Sequence, residues 1–311
     1  MKYAYFPGCS LKSSGRAYEE SFLAVCRELG IEMNELDDWN CCGATAYMSV
    51  DESYAYALSI RNLSLAERTG CQVVVPCGGC YGILLKAGEY FHKYPRIREV
   101  VNKGLANVGM VYGGTARVRH PIEVLAHDLP PKLLRSKVKR PLKGLKVACY
   151  YGCRILRPIA PFDDARNPQT MDGLLKGVGA RVVDYAGKGK CCGGSLTGTL
   201  PPVALELVYT LLKDAERREA DIVATACPLC QFNLECYQAD IRRDHPDLKP
   251  TPVVYFTQLI GIAMGLDPQA LGLHRQIVPV VPLLEEKGIL PKPGRSETDE
   301  GGKGAGKESA S

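Results

Sequence analysis

The chain has 311 residues, 46% of them hydrophobic and 23% charged, which suits a globular protein built as one large domain or two ordinary ones. Its net charge of +5 is small and scattered, which argues against a nucleic-acid-binding protein. The N-terminal MKYAYFPGCS shows no signal-peptide pattern and no apolar run approaches the ~18 residues of a spanning helix, so the expectation is a cytoplasmic protein without a membrane span.

In chain order, a strand over 2–6 leads through Cys9 into a helix over about 16–29. A strand over 31–36 precedes Cys41-Cys42. Asp51 caps a helix that runs to Gly70, and a strand over 72–76 leads into Cys77, with a helix after Cys80. The segment KLLRSKVKRPLKGLK, 132–146, carries seven cations and no acid. It is read as a solvated linker, with a docking patch for an acidic partner as the alternative. A second series follows: strand 145–150, helix 168–177, strand 180–185, helix 202–219 with proline at its start, strand 221–226, and a helix from about 229. The tail from Lys292 is rich in Gly, Ser and charge and is expected to be disordered.

The two series are an internal repeat. KYAYFPGC (2–9) matches KVACYYGC (146–153), NCCGA (40–44) matches KCCGG (190–194), and VVVPCGGC (73–80) matches VATACPLC (223–230). HPIEVLAHDL (120–129) resembles TPVVYFTQLI (251–260), and 34 residues separate Cys-Cys from Cys-x-x-Cys in both halves. The expected organisation is a first repeat over 1–131, a basic linker over 132–145, a second repeat over 146–291 and a tail over 292–311. Alternating strands and helices predict an α/β fold of two homologous Rossmann-like repeats with mainly parallel sheets. In such sheets ligands gather at the C-terminal strand edge, where Cys9, Cys77, Cys153 and Cys227 fall.

Fourteen cysteines in a reducing compartment point to metal binding or redox chemistry rather than disulfides. Ten form matched sets: Cys9, Cys41, Cys42, Cys77 and Cys80, then Cys153, Cys191, Cys192, Cys227 and Cys230. Cys26, Cys71, Cys149 and Cys236 have no counterpart and read as buried small apolar residues. A structural zinc site and a cubane iron–sulfur cluster each take four protein ligands, so a set of five leaves one over. The fifth is a spare, a redox thiol beside a four-ligand site, or a ligand of a larger or more open cluster. The recurrence of Cys-Cys argues against a spare, and Gly43, Gly193 and Gly194 leave room for backbone to approach inorganic sulfur.

This doubled pattern of Cys, Cys-Cys-Gly and Cys-x-x-Cys resembles the B subunit of heterodisulfide reductase and the wider family with the cysteine-rich Cys-Cys-Gly domain. The resemblance runs to about Gly288. It implies that each set of five cysteines binds one noncubane [4Fe-4S] cluster and that a mixed disulfide is reduced between the two clusters. It also implies two partners, a ferredoxin-like iron–sulfur protein (the C subunit) and a flavoprotein (the A subunit), and a small disulfide or thiol as substrate. Relatives handle other disulfides, work in sulfur oxidation or form parts of succinate, lactate and glycolate oxidising complexes, several of them with incomplete motifs, so the alternative is an electron-transfer or sulfur-carrier-docking subunit of such a complex. Both motifs are complete here, which favours disulfide chemistry.

No side chain is assigned as catalytic, because the resemblance places the chemistry at the clusters, and the absence of all five histidines from the cysteine motifs fits that. The chain shows neither a Rossmann glycine fingerprint nor a phosphate loop, so its electrons are expected from a partner. Cations flank the motifs, and Lys12, Arg16, Arg154, Arg157, Lys188 and Lys190 are candidate contacts for an anionic substrate.

Overall fold

Short runs rich in β-branched and aromatic residues alternate with helices along the computed structural model, which describes residues 1–130 and 132–292. The expected disordered tail, from 293 onward, lies outside the described residues. The first half runs β1 (Lys2–Tyr5), α1 (Gly8–Leu11), α2 (Arg16–Glu28), β2 (Glu32–Glu35), α3 (Ala46–Val50), α4 (Glu52–Arg68), β3 (Val73–Val74), α5 (Gly78–Lys93), α6 (Pro95–Ala106), β4 (Val118–Arg119) and α7 (Pro121–His127). After α8 (Leu133–Ser136) come β5 (Lys146–Tyr150), α9 (Thr170–Gly177), β6 (Arg181–Val183), α10 (Pro201–Arg217), β7 (Ile222–Thr225), α11 (Pro228–Cys236), α12 (Gln238–Asp244), β8 (Val253–Tyr255), α13 (Phe256–Ala263) and α14 (Val281–Glu286). Among the described residues no helix is long and apolar enough to cross a membrane.

The strands form two four-stranded sheets, ordered β2-β1-β3-β4 and β6-β5-β7-β8, with every recorded pair parallel. The inner strands are buried on both faces, as parallel sheets require, whereas the edge strand β2 (EMNE) is largely exposed. Asp51 caps α4 as expected, accepting from the Ser53 amide at 2.7 Å.

Two departures from the sequence reading are informative. The repeat segments 120–129 and 251–260 occupy corresponding places, but four residues out of register with the sequence match. Pairing of Val74 with Arg119 and of Ala224 with Val254 sets His120 opposite Tyr255, each the N-cap of the helix that follows. The sequence match sets Pro121 on Pro252, and β4 and β8 are too short to carry a pattern that overrules it. The basic segment is also not a bare linker. Leu142 and Leu145 are fully buried in it, the amides of Lys139 and Arg140 donate to Ala263 O at 2.8 and 2.9 Å, and Lys137 reaches Glu28 at 3.2 Å.

The halves interlock through the segments that follow their first cysteines. Helix α2 crosses to the second half, where Tyr18 stacks on Tyr255 with centroids 4.5 Å apart and Ser21 bonds Thr257 at 2.7 Å. The loop 154–169 crosses the other way, and Phe162 lies over His120 at 6.1 Å with its edge toward Tyr81. Tyr18 and Phe162 each stand nine residues after the first cysteine of their half.

The short edge strand β8 is held by buried Gln238, which donates to Thr251 O and accepts from Thr251 N, both at 2.8 Å. Gln238→Leu strands both Thr251 groups and is expected to cost roughly 2–4 kcal/mol. Urea unfolding measures this, and an unchanged midpoint would show that the bonds do not anchor the strand.

Candidate functional site

Each half delivers its five cysteines by the same route. The first follows the leading strand, the Cys-Cys pair follows the second strand, and the Cys-x-x-Cys pair opens the helix after the third. Cys77 and Cys227 are the N-caps of α5 and α11, so both thiols sit at the positive end of a helix. All fourteen cysteines are free.

The thiols meet in a line. Cys41 contacts Cys42, whose Sγ lies 3.1 Å from that of Cys80, and Cys80 contacts Cys77. Across the seam Cys77 lies within charge reach of Cys227, and a Cβ on the neighbouring Gly78 would stand 3.3 Å from Cys227 Sγ; in the second half Cys230 Sγ lies 3.6 Å from that of Cys192. Cys153 and Cys191 form a further contact at the rim, and Cys9 lies within charge reach of Cys41. Both Cys-x-x-Cys pairs, with Cys42 and Cys192, are buried, whereas Cys9 and Cys191 are exposed. The floor of the site is therefore shared between the halves and its two rims open outward.

This environment divides the thiols: Cys42, Cys191 and Cys227 are pulled down, whereas Cys41, Cys77, Cys80, Cys153 and Cys230 are pushed up by neighbouring thiols and by burial. Hydrogen bonds from Cys41 and then Cys80 pull Cys42 down to about 4. Those from Cys153 and the Gly193 amide pull Cys191 to about 6, with the Arg157 and Arg154 charges adding to the effect. Glycines make the space. A Cβ on Gly8 would stand 2.9 Å from Cys80 Sγ, and one on the equivalent Gly152 would stand 3.1 Å from Cys230 Sγ. In each Cys-Cys turn a glycine with positive φ, Gly43 at +83° or Gly193 at +76°, aims its amide at Cys41 or Cys191 Sγ, 3.5 and 3.3 Å away.

Among the described residues no three His, Cys, Asp or Glu side chains close around a point that suits one metal ion. A line of paired thiols flanked by free amide donors instead fits a group with several metal atoms and bridging sulfur. Surface cavities of about 410 Å³ beside α7 and α9 and about 470 Å³ beside β1 and β2 contain none of the ten motif cysteines, so concavity alone does not mark the site.

The candidate cations divide. Arg154 and Arg157 act on the rim thiols, Arg157 also donating to Gly189 O, and Lys190 is exposed beside Cys191. Lys12 is held between Glu19 and Glu35, each at 2.7 Å, and Arg16 pairs with Glu20 at 3.2 Å. Lys188 corrects the expectation of a substrate contact. It is buried, pairs with buried Asp172 at 2.8 Å and donates to Pro168 O, while its own carbonyl accepts from the Tyr151 and Gly152 amides. It fastens the loop before Cys191 to the strand exit before Cys153. Of the four unmatched cysteines, Cys26 and Cys149 are buried as expected, and Cys71 and Cys236 only half-buried.

The sequence reading did not single out the aromatic wall of the site. Tyr18, Tyr255, Phe162 and His120 enclose the seam around Cys77 and Cys227. Burial holds His120 down to about 4, so it is neutral; its Nδ1 accepts from the Ile122 amide and its Nε2 donates to Pro76 O at 3.2 Å. The shared nine-residue offset of Tyr18 and Phe162 was the available signal.

A family model described as a cysteine-rich domain, CCG, matches residues 3–84 and 147–235. An 8-methylmenaquinol:fumarate reductase membrane anchor subunit from Wolinella succinogenes is 34% identical over 89% of this chain and 97% of its own length. The B subunit of a ferredoxin/F(420)H(2)-dependent CoB-CoM heterodisulfide reductase from Methanosarcina acetivorans is 31% identical over 89% of this chain and 94% of its own. A protein from Archaeoglobus profundus, named as like the B subunit of heterodisulfide reductase, is 32% identical over 86% and 92%. A crystal structure of a hypothetical protein from Helicobacter pylori shares the fold with a TM-score of 0.73 at 18% identity; the match covers 90% of this chain and about half, 52%, of that one.

Breaking the Lys188–Asp172 pair tests the loop anchor. Asp172→Ala leaves the buried ammonium with only the exposed Asp184 carboxylate, 3.7 Å away, and is expected to lower stability by about 3–5 kcal/mol, whereas replacing both Lys188 and Asp172 with apolar residues recovers most of the loss. Denaturant unfolding of the three proteins checks this; equal midpoints would remove the pair from any structural role.

Proposed function

The chain belongs to the CCG cysteine-rich domain family, with relatives named as B subunits of heterodisulfide reductase, and from that premise we propose that it is the disulfide-handling subunit of an iron–sulfur oxidoreductase. Cys9, Cys41, Cys42, Cys77 and Cys80 would hold one noncubane [4Fe-4S] cluster, and Cys153, Cys191, Cys192, Cys227 and Cys230 the other. When bound, such clusters supply electrons singly. Reduction of one disulfide to two thiols takes two electrons and two protons, so paired sites match the demand. The observation that carries the reading is the approach of the two thiol sets across the seam, where a Cβ on Gly78, next to Cys77, would stand 3.3 Å from Cys227 Sγ. Partner subunits, a ferredoxin-like protein and a flavoprotein, deliver the electrons, and the same route run backward would form a disulfide.

The chain's own residues do three things at this site. Ten thiolates bind, the turn amides of Gly43 and Gly193 donate toward sulfur, and the interlocked halves keep bulk water from the shared floor. Arg154 and Arg157 lie beside Cys191 and serve to draw an anionic disulfide or thiol to the open rim. The similarity to the Wolinella protein favours a second reading, an electron-transfer component of a larger respiratory complex.

Iron and acid-labile sulfide in the purified protein test the cluster assignment, and zinc alone would overturn it. To separate the two readings, the reduced protein is treated with mixed disulfides and followed by EPR. A new thiol-dependent paramagnetic signal is expected; silence across several disulfides favours the electron-transfer component. Arg154→Ala is expected to raise KM for an anionic disulfide several-fold with iron content unchanged, and an unaltered KM would remove Arg154 from substrate capture.

A further inference from the structure

The two thiol sets are built alike, but the side chains around them are not. Three residues before the first cysteine stands Phe6 in one half and Tyr150 in the other; two residues before the third-strand cysteine stand Val75 and Thr225. The N-caps after the fourth strands are His120 and Tyr255. Nine residues after the first cysteine stand Tyr18 and Phe162, and these two are exchanged between halves. Tyr18 reaches the second half's site, stacked on Tyr255, with Gly15 against Pro228 in the first turn of α11. Phe162 reaches the first half's site over His120. At these positions the second half's site has the hydroxyls of Tyr18, Tyr150, Thr225 and Tyr255, where the first has Phe162, Phe6, Val75 and His120, the last also within charge reach of Cys227.

Two of those hydroxyls are already occupied: Tyr150 donates to Lys190 O at 2.7 Å and Tyr255 to Gln231 Oε1 at 3.4 Å. Tyr18 is fully buried, and its hydroxyl has no hydrogen-bond partner among the described residues; the buried Thr225 hydroxyl likewise lacks one. Buried hydroxyls without a partner are rare and call for one. The thiols acting on Tyr18 are foremost Cys227, then Cys77 and Cys26. The unpartnered Tyr81 hydroxyl of the first half differs, because the charges around it are Glu123 and Arg119 rather than motif cysteines.

We infer that the Tyr18 hydroxyl donates a hydrogen bond to sulfur at the second repeat's site, making the cluster held there the more easily reduced of the two. The inference rests on the cluster assignment proposed above. A donor to cluster sulfur stabilises the reduced, more negative state and raises its potential. Through α2, the first half sets the potential of its neighbour. Electrons entering the protein settle first beside Cys227, and the first repeat's site is the stronger reductant.

Redox titration of the holoprotein followed by EPR tests this. Tyr18→Phe removes only the hydroxyl, so iron and sulfide content stay at the parent level. The higher midpoint is expected to fall by an amount equal to about a tenfold change in the reduced-to-oxidised ratio, ~59 mV for one electron, with the lower midpoint unmoved. Phe162→Tyr, which places a hydroxyl at the equivalent point of the first site, is expected to raise the lower midpoint. Full iron and sulfide with both midpoints unmoved in Tyr18→Phe, or a shift of the lower one alone, overturns the inference and leaves the cluster assignment standing. A parent protein without iron and sulfide overturns both.

Discussion

The approach of Cys77 and Cys227 across the seam governs how the rest of the molecule must be built. Two polarisable side chains from separate sheets approach each other in a buried floor, each at the start of a helix whose positive end favours negative charge. Neither sheet can bring this about alone. The third strand of each must end at the seam, with its cysteine as the helix cap. The crossing of α2 and of loop 154–169 then closes the floor from both sides with Tyr18 and Phe162. Each thiol set is therefore walled by the half to which it does not belong.

Such a floor is demanding electrostatically, and the chain meets the demand with placed donors rather than with a surplus of cations. Turn amides, neighbouring thiols and helix starts lie closest to the cysteines, and the arginines sit at the rim. Lys188, three residues before Cys191, is consumed in a buried pair with Asp172 and holds two loops together. Charge near a site and charge acting on a site are different things, and burial with a partner separates them.

Much of the site was legible from spacing alone, because cysteines are chemically distinctive and their order survives in both repeats. The ten motif cysteines, the strand-to-helix route to each and the parallel sheets needed nothing beyond pattern. The fourth strands were not legible, being two and three residues long, and their partners only became clear from pairing. The four-residue slip between His120 and Tyr255 has the same origin, since two prolines gave a plausible match that strand register overrules. Lys188 read as a surface cation because its acid, Asp172, is distant in the chain.

By itself the amino-acid sequence determined the duplication, the α/β class and the set of thiols, because these depend on local periodicity and on residue types that only metal or redox chemistry uses in such numbers. Tertiary structure alone decided that the two sets share a floor, that Lys188 faces inward, and that a tyrosine of the first half stands over the second half's cysteines. Those outcomes depend on which surfaces of two similar sheets are pressed together and on where α2 and loop 154–169 cross. That is set by the fit of many distant side chains, and no stretch of neighbouring residues records it.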